Sequence, residues 1–313
     1  MKAENSRNYN IELWRIVFCV VIVIYHFGIT FGRNLLGAGY LCVEFYFLLS
    51  GLGIYMAYQK GKEQGIKGLF PYAKSRFLRL YPLYIASMAA MLISDLITHQ
   101  IVLSEVPGLL KNCLAEFFML QCSPLGNSVL VYTNWYVATL FWGSLLYMLI
   151  LLLLKKAAVY VICPLTGIGL YYYYARLIAK IDVIVSYHGF LRALAGLGLG
   201  IFLAALAEAV THLRDEKAPN TENSASGGIW IILVIPANLL LIYAVYYFGI
   251  GVRSLKDFVM IGLFFAALFL LVSGKDPVPK KGRKMLAVAS RLTYPVYLFQ
   301  LPVLQLLYYL SQR

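Results

Sequence analysis

IELWRIVFCVVIVIYHFGIT, from Ile11 to Thr30, is an apolar run long enough to cross a bilayer, yet it carries Glu12, Arg15 and His26. On an α-helix, the eleven steps from Arg15 to His26 end roughly 20° from the starting direction and rise roughly 16 Å, about half the hydrocarbon thickness. Glu12 falls within about 40° of the line through His26, so three ionisable groups share one stripe of one membrane helix. Such groups are costly in lipid, and where they occur they usually face the protein interior and mark a pathway or a reaction centre. The plainer reading is a Glu12–Arg15 pair near the headgroups and a buried, hydrogen-bonded histidine.

The rest of the chain agrees with a membrane setting. Its 313 residues are 61% hydrophobic and 13% charged, with mean hydropathy +0.74, too apolar for a soluble domain. Nine apolar runs of spanning length lie near 12–31, 38–58, 81–103, 134–154, 157–174, 190–210, 229–248, 255–273 and 292–310. The stretch Leu109–Gln121 is shorter and interrupted by Lys111 and Glu116, which suits a re-entrant, interfacial or tenth spanning segment. The expected architecture is an all-α, polytopic helical bundle of nine to ten transmembrane helices, forming a single domain over 1–313. With the N-terminus in the cytoplasm and nine spans, 18 of the 27 Lys and Arg residues fall on the inner side, chiefly in 59–80 and 274–291. The net charge of +13 is then mostly positive-inside bias and calls for anionic headgroups rather than nucleic acid.

Glu12 and Arg15 interrupt the first apolar run and no small-residue cleavage pattern follows, so the first helix is expected to remain. Of five cysteines, Cys113 and Cys122 are the pair placed to form a bridge on the oxidising side. The histidines His26, His99, His188 and His212 are dispersed, and neither zinc nor iron–sulfur spacing is present, so no metal is expected. Arg214–Gly228 is polar and turn-rich and reads as a flexible connection. The run Tyr171–Tyr174 reads as an interfacial aromatic belt or as sugar-stacking tyrosines.

Three further stretches carry candidate chemistry. Glu44 lies early in the second apolar run, where it either orients a histidine or makes an interhelical hydrogen bond as a protonated acid. In Lys74-Ser75-Arg76-Phe77-Leu78-Arg79-Leu80-Tyr81-Pro82, Arg76 and Arg79 project together on a helix, with Lys74 beside them. Paired guanidiniums suit phosphate oxygens, either of a bound ligand or of lipid headgroups. Asn134-Trp135-Tyr136-Val137 opens one span, and Tyr294-Pro295-Val296-Tyr297-Leu298-Phe299-Gln300 lies in the last.

Together these stretches resemble the membrane-bound acyltransferase family three, the multi-span O-acetyltransferase-like proteins that modify bacterial surface glycans and related acceptors. Arg15 with His26 is similar to the family's Arg-x10-His first helix. Val43-Glu44-Phe45-Tyr46-Phe47-Leu48-Leu49-Ser50-Gly51 resembles its acidic-aromatic-Ser-Gly second helix, and Arg76-Phe77-Leu78-Arg79-Leu80-Tyr81-Pro82 its Arg-x-x-Arg loop. The chain departs from the pattern at Leu140, where many members have Glu, and at Gln300, where they have His. The resemblance implies acyl transfer from acyl-CoA, acetyl-CoA above all, to a hydroxyl of a glycan, lipid-linked sugar or small acceptor, in a bacterial plasma membrane. It implies His26 as general base or, less simply, as acyl carrier, Glu44 orienting His26 or stabilising its imidazolium, Arg15 holding donor charge or polarising the thioester, and Arg76, Arg79 and Lys74 gripping the CoA phosphates. On this reading the last span lies outside the acyl-transfer core. A transporter or flippase with the stripe as a relay, or an idle substrate-binding membrane domain, are the rival readings. The acceptor, the acyl group and the oligomeric state stay open.

Overall fold

The computed structural model describes residues 8–123, 129–184, 187–217, 232–251 and 253–313, and these hold helices and no strand. The helices are α1 (Tyr9–Thr30), α2 (Cys42–Gly61), α3 (Leu69–Ile97), α4 (Val106–Asn112), α5 (Leu114–Phe117), α6 (Trp135–Ala157), α7 (Cys163–Tyr173), α8 (His188–Lys217), α9 (Val234–Ile250), α10 (Lys256–Ser273) and α11 (Lys280–Ser311).

Five continuous helical runs are long and apolar enough to cross a membrane: Tyr9–Thr30, Gly39–Ile97, Tyr132–Ile178, His188–Leu213 and Lys256–Ser273. The protein is therefore a multi-pass membrane protein, but the expected count of nine to ten spans is not reached by length and composition. One reason is merging. The 59-residue run joins α2 to α3 through a turn in which Gly65 has φ 55 and ψ −146, a left-handed conformation that glycine adopts without a side-chain clash. The 47-residue run likewise breaks at Lys155, with φ 49 and ψ −119. Leu109–Gln121 forms the short α4 and α5 and supplies no spanning helix. All five cysteines are free, so the bridge considered between Cys113 and Cys122 is not formed; Cys113 is buried in the core. Of the expected flexible connection, 214–217 belong to α8 and 218–228 lie outside the described residues.

Polar contacts set the directions of the helices. Asn8 caps α1 by accepting from the amides of Asn10 and Ile11 at 3.1 and 3.2 Å, and its own amide donates to the Leu271 carbonyl of α10 at 2.7 Å. Cys19 meets Thr293, and His26 meets Gln300, so α1 and α11 run side by side in one direction. Tyr294 donates to the Leu80 carbonyl at 2.7 Å and Gln305 to Asp95 at 2.8 Å, which sets α3 parallel to both. α2 and α8 form a second parallel pair, from Glu44–Arg192 at one end to Tyr55–Glu208 at the other. Gly51 and Gly200 lie at their crossing, where a Cβ on either would overlap a backbone carbonyl of the opposite helix. Small residues let helix backbones approach closely where lipid offers no hydrophobic drive to association.

Candidate active site

His26 lies near the end of α1 that faces Gln300. Its Nδ1 is 3.2 Å from Gln300 Oε1, while Gln300 Nε2 donates to the Tyr297 carbonyl at 3.0 Å. The second contact decides the first. Turning the amide over would set its oxygen against the Tyr297 carbonyl oxygen, so Oε1 is the atom that faces the ring and His26 Nδ1 is the donor. A neutral ring with its proton on Nδ1 keeps an acceptor lone pair on Nε2. His26 lines a cavity of about 70 Å³ together with Tyr25, Tyr40, Tyr132, Thr133, Trp135, Asp182, Arg192, Arg253 and Tyr297.

This geometry corrects two expectations. Glu44 does not hold His26: it is fully buried and accepts from the Tyr171 hydroxyl and from Arg192 Nε. Arg192, also buried, donates through Nη2 to the Tyr40 carbonyl at 3.1 Å and lies over the Trp135 ring at 5.3 Å. Glu44 faces α8 rather than α1, and a buried carboxylate is held most firmly by a guanidinium and a hydroxyl at hydrogen-bond range. The second correction concerns the last span, which was expected to lie apart from the catalytic residues. α11 packs along α1 and supplies Gln300, the partner of His26. Replacing Gln300 with Ala is accordingly expected to lower kcat by about tenfold with little change in KM, through loss of ring orientation. Full wild-type kcat in steady-state assays of that variant would separate the two residues.

The tyrosine run is neither an interfacial belt nor a stacking platform throughout. The buried Tyr171 serves Glu44, and the buried Tyr174 donates to the His188 carbonyl at 2.5 Å.

Arg15 pairs with Glu12 at 2.8 Å, and its carbonyl accepts from the Tyr46 hydroxyl at 2.5 Å. Arg76 Nε donates to the Tyr72 hydroxyl at 3.0 Å. Arg79 is exposed and lies within electrostatic reach of both Arg76 and Arg15, so three guanidiniums form one cationic cluster. Lys74 is exposed on the same turn of α3. Among the described residues no carboxylate pairs with Arg76 or Arg79, and none of these four basic residues lines the His26 cavity. No three His, Cys, Asp or Glu side chains cluster as metal ligands among the described residues.

Sequence reading missed the Glu116 buttress. Its carboxylate accepts from the amides of Leu130 and Val131 at 2.5 and 3.2 Å and from Asn134 Nδ2 at 3.3 Å, fixing the turn that carries Tyr132 and Thr133 into the cavity wall. Burial pushes its pKa up to about 6, against the pull of those donors. The folded state then holds this proton more tightly than the unfolded chain does. Its stabilising contribution is complete below the ordinary carboxylate range and declines as pH rises through about 6, by ~2 kcal/mol in all. Thermal unfolding in detergent is expected to show that decline between about pH 4.5 and 6, and Glu116→Leu is expected to flatten it.

No curated protein and no solved structure matches the chain. A family model described as an acyltransferase domain, however, matches residues 8–313, which include every residue of the cavity and of the cationic cluster, and the chain therefore belongs to acyltransferase family three.

Proposed function

We propose that this membrane acyltransferase moves an acyl group, acetyl in the first instance, from acyl-CoA on the cytoplasmic side to a hydroxyl of a glycan, a lipid-linked sugar or another small acceptor. The observation that carries the reading is the His26 ring, tied through Nδ1 to Gln300 on the wall of a cavity. His26 Nε2 takes the proton of the acceptor hydroxyl as its oxygen attacks the thioester carbonyl. A C–O bond forms, the C–S bond breaks, and the departing CoA sulfur receives the proton that His26 took. Arg15, Arg76 and Arg79 hold the donor phosphates, with Lys74 adding a point charge beside them. The cluster fits that task because its cations outnumber its carboxylates, a balance that a polyanion reverses. Arg192, which lines the cavity and is neutralised by Glu44, keeps the wall polar without adding net charge.

The reading sets the chain in a bacterial plasma membrane with its N-terminus in the cytoplasm, as the basic residues of 59–80 and 274–291 favour. Cysteines introduced at Lys67 and Lys281 are then expected to escape a membrane-impermeant maleimide in intact cells and to react after permeabilisation; ready labelling of Lys67→Cys from outside would remove the cytoplasmic donor site. The direct test of function uses purified protein in nanodiscs with acetyl-CoA and a panel of sugar and polyol acceptors. Release of CoA thiol is expected to depend on the acceptor and to coincide with an acetylated product by mass spectrometry. Absence of thiol release with every acceptor would favour a transport role.

A further inference from the structure

Tyr72 and Arg76 are four residues apart on α3, the spacing at which helical side chains meet. Arg76 Nε donates to the Tyr72 hydroxyl at 3.0 Å, and the guanidinium carbon lies 5.4 Å from the centre of the Tyr72 ring. Tyr72 is itself half-buried and packed against the core, so its hydroxyl is a fixed anchor. The other two guanidiniums of the cationic cluster are held differently. Arg15 is paired with Glu12 at 2.8 Å, which offsets its charge. Arg79 is exposed and makes no side-chain hydrogen bond among the described residues. Arg76 is the one of the three that combines a set orientation with an uncompensated charge, because its anchor is a neutral hydroxyl.

Commitment of Nε decides how this guanidinium can meet an anion. Guanidiniums grip phosphate through two parallel N–H donors, either Nε with one Nη or the two Nη groups together. With Nε engaged by Tyr72, the end-on Nη pair is what remains. Arg76 also lies, with Arg15, within electrostatic reach of the buried Tyr136 hydroxyl, and the Tyr136 ring packs 5.4 Å from that of Tyr297 on the His26 cavity wall. The anchored cation therefore adjoins the aromatic contacts that connect the cluster to the cavity. We infer that Tyr72 is a positioning residue of the donor site, holding Arg76 through Nε so that its two Nη groups meet a donor phosphate end-on. The inference rests on the acyl-CoA reading and deepens it: of the guanidiniums assigned to the donor phosphates, Arg76 is the one set in place before the donor arrives, which lowers the ordering cost of binding. A lipid headgroup offers the same phosphate chemistry, and the experiment separates the two sources.

The test uses the full chain in nanodiscs. Tyr72→Phe keeps the ring and removes the acceptor of Nε. It is expected to weaken calorimetric binding of CoA by about fivefold, the factor expected from about one lost hydrogen bond. Placed on Arg76→Ala it is expected to add less than about twofold, and placed on Arg79→Ala the full factor, since only Arg76 depends on the anchor. Steady-state transfer supplies the second readout. Acetyl-CoA is compared with S-acetylpantetheine, which carries no phosphate, and the KM advantage of acetyl-CoA is expected to shrink by about fivefold in Tyr72→Phe. Equal CoA affinity in the wild type and Tyr72→Phe would leave Arg76 to lipid phosphate and overturns the inference. So does a loss that is as large on Arg76→Ala as on the wild type, or equal rises in KM for both donors, since each would assign Tyr72 to the fold alone. No CoA binding by the wild type would remove the donor site and the inference with it. The expected pattern of CoA binding without any acetyl transfer would uphold the role of Tyr72 and refute the acyl-transfer reading instead.

Discussion

Replacing His26 with Ala is expected to lower turnover by about 10²–10⁴-fold, the usual contribution of a positioned general base, while affinity for acyl-CoA stays near that of the wild type. Arg76→Ala and Arg79→Ala are expected to act on the other term, each raising KM for acyl-CoA by about tenfold with a smaller change in kcat. Arg79 is solvent-exposed, so its contribution is reduced by screening and the phosphate contacts weaken further as salt rises. Arg76→Lys is expected to recover part of the loss, because an ammonium does not reproduce the paired donors of a guanidinium. Calorimetric donor binding measured beside steady-state turnover separates the two classes. Loss of acyl-CoA binding in His26→Ala, with normal binding in both arginine variants, would put the histidine in the donor pocket.

Glu44→Ala is expected to be the most destabilising single change, by about 3–5 kcal/mol, because it leaves the guanidinium of Arg192 buried without its counter-charge. The cost comes from the stranded partner rather than from the pair's net worth. The double variant Glu44→Leu with Arg192→Met is therefore expected to regain most of the lost stability, since an apolar pair of similar volume removes both charges together. Thermal unfolding in detergent of the two single variants and the double variant closes the cycle. Additive losses in the double variant would show that the two side chains are energetically independent.

The first helix was legible because its information is local: the spacing of Glu12, Arg15 and His26 is fixed by helix geometry alone. Arg76 and Arg79 were legible for the same reason. The partner of Glu44 was not, because it lies 148 residues further on, and a polar group inside an apolar run announces a need without naming what meets it. Arg192 did carry a signal, as a charge within an apolar run of α8. Gln300 was legible only as a departure from a pattern, and the packing of α11 on α1 made that departure the contact that orients His26. The basic segment 274–291 lies between two of the apolar runs read from the sequence, 255–273 and 292–310. Lys280–Ser311 is instead one helix, its basic turns diluting the apolar signal that hydropathy reads.

The separation of Glu44 from Arg192 also sets an order of events during synthesis. At about 5–20 residues per second, the ribosome needs roughly 7–30 s to pass from one to the other. Through that interval α2 waits in the translocation machinery or the lipid with its carboxyl uncomplemented, and the glycine crossing at Gly51 has no Gly200 to meet. The bundle therefore assembles around α8 as a late-arriving keystone, and nascent chains that end before it are the ones membrane quality control is expected to recognise and degrade.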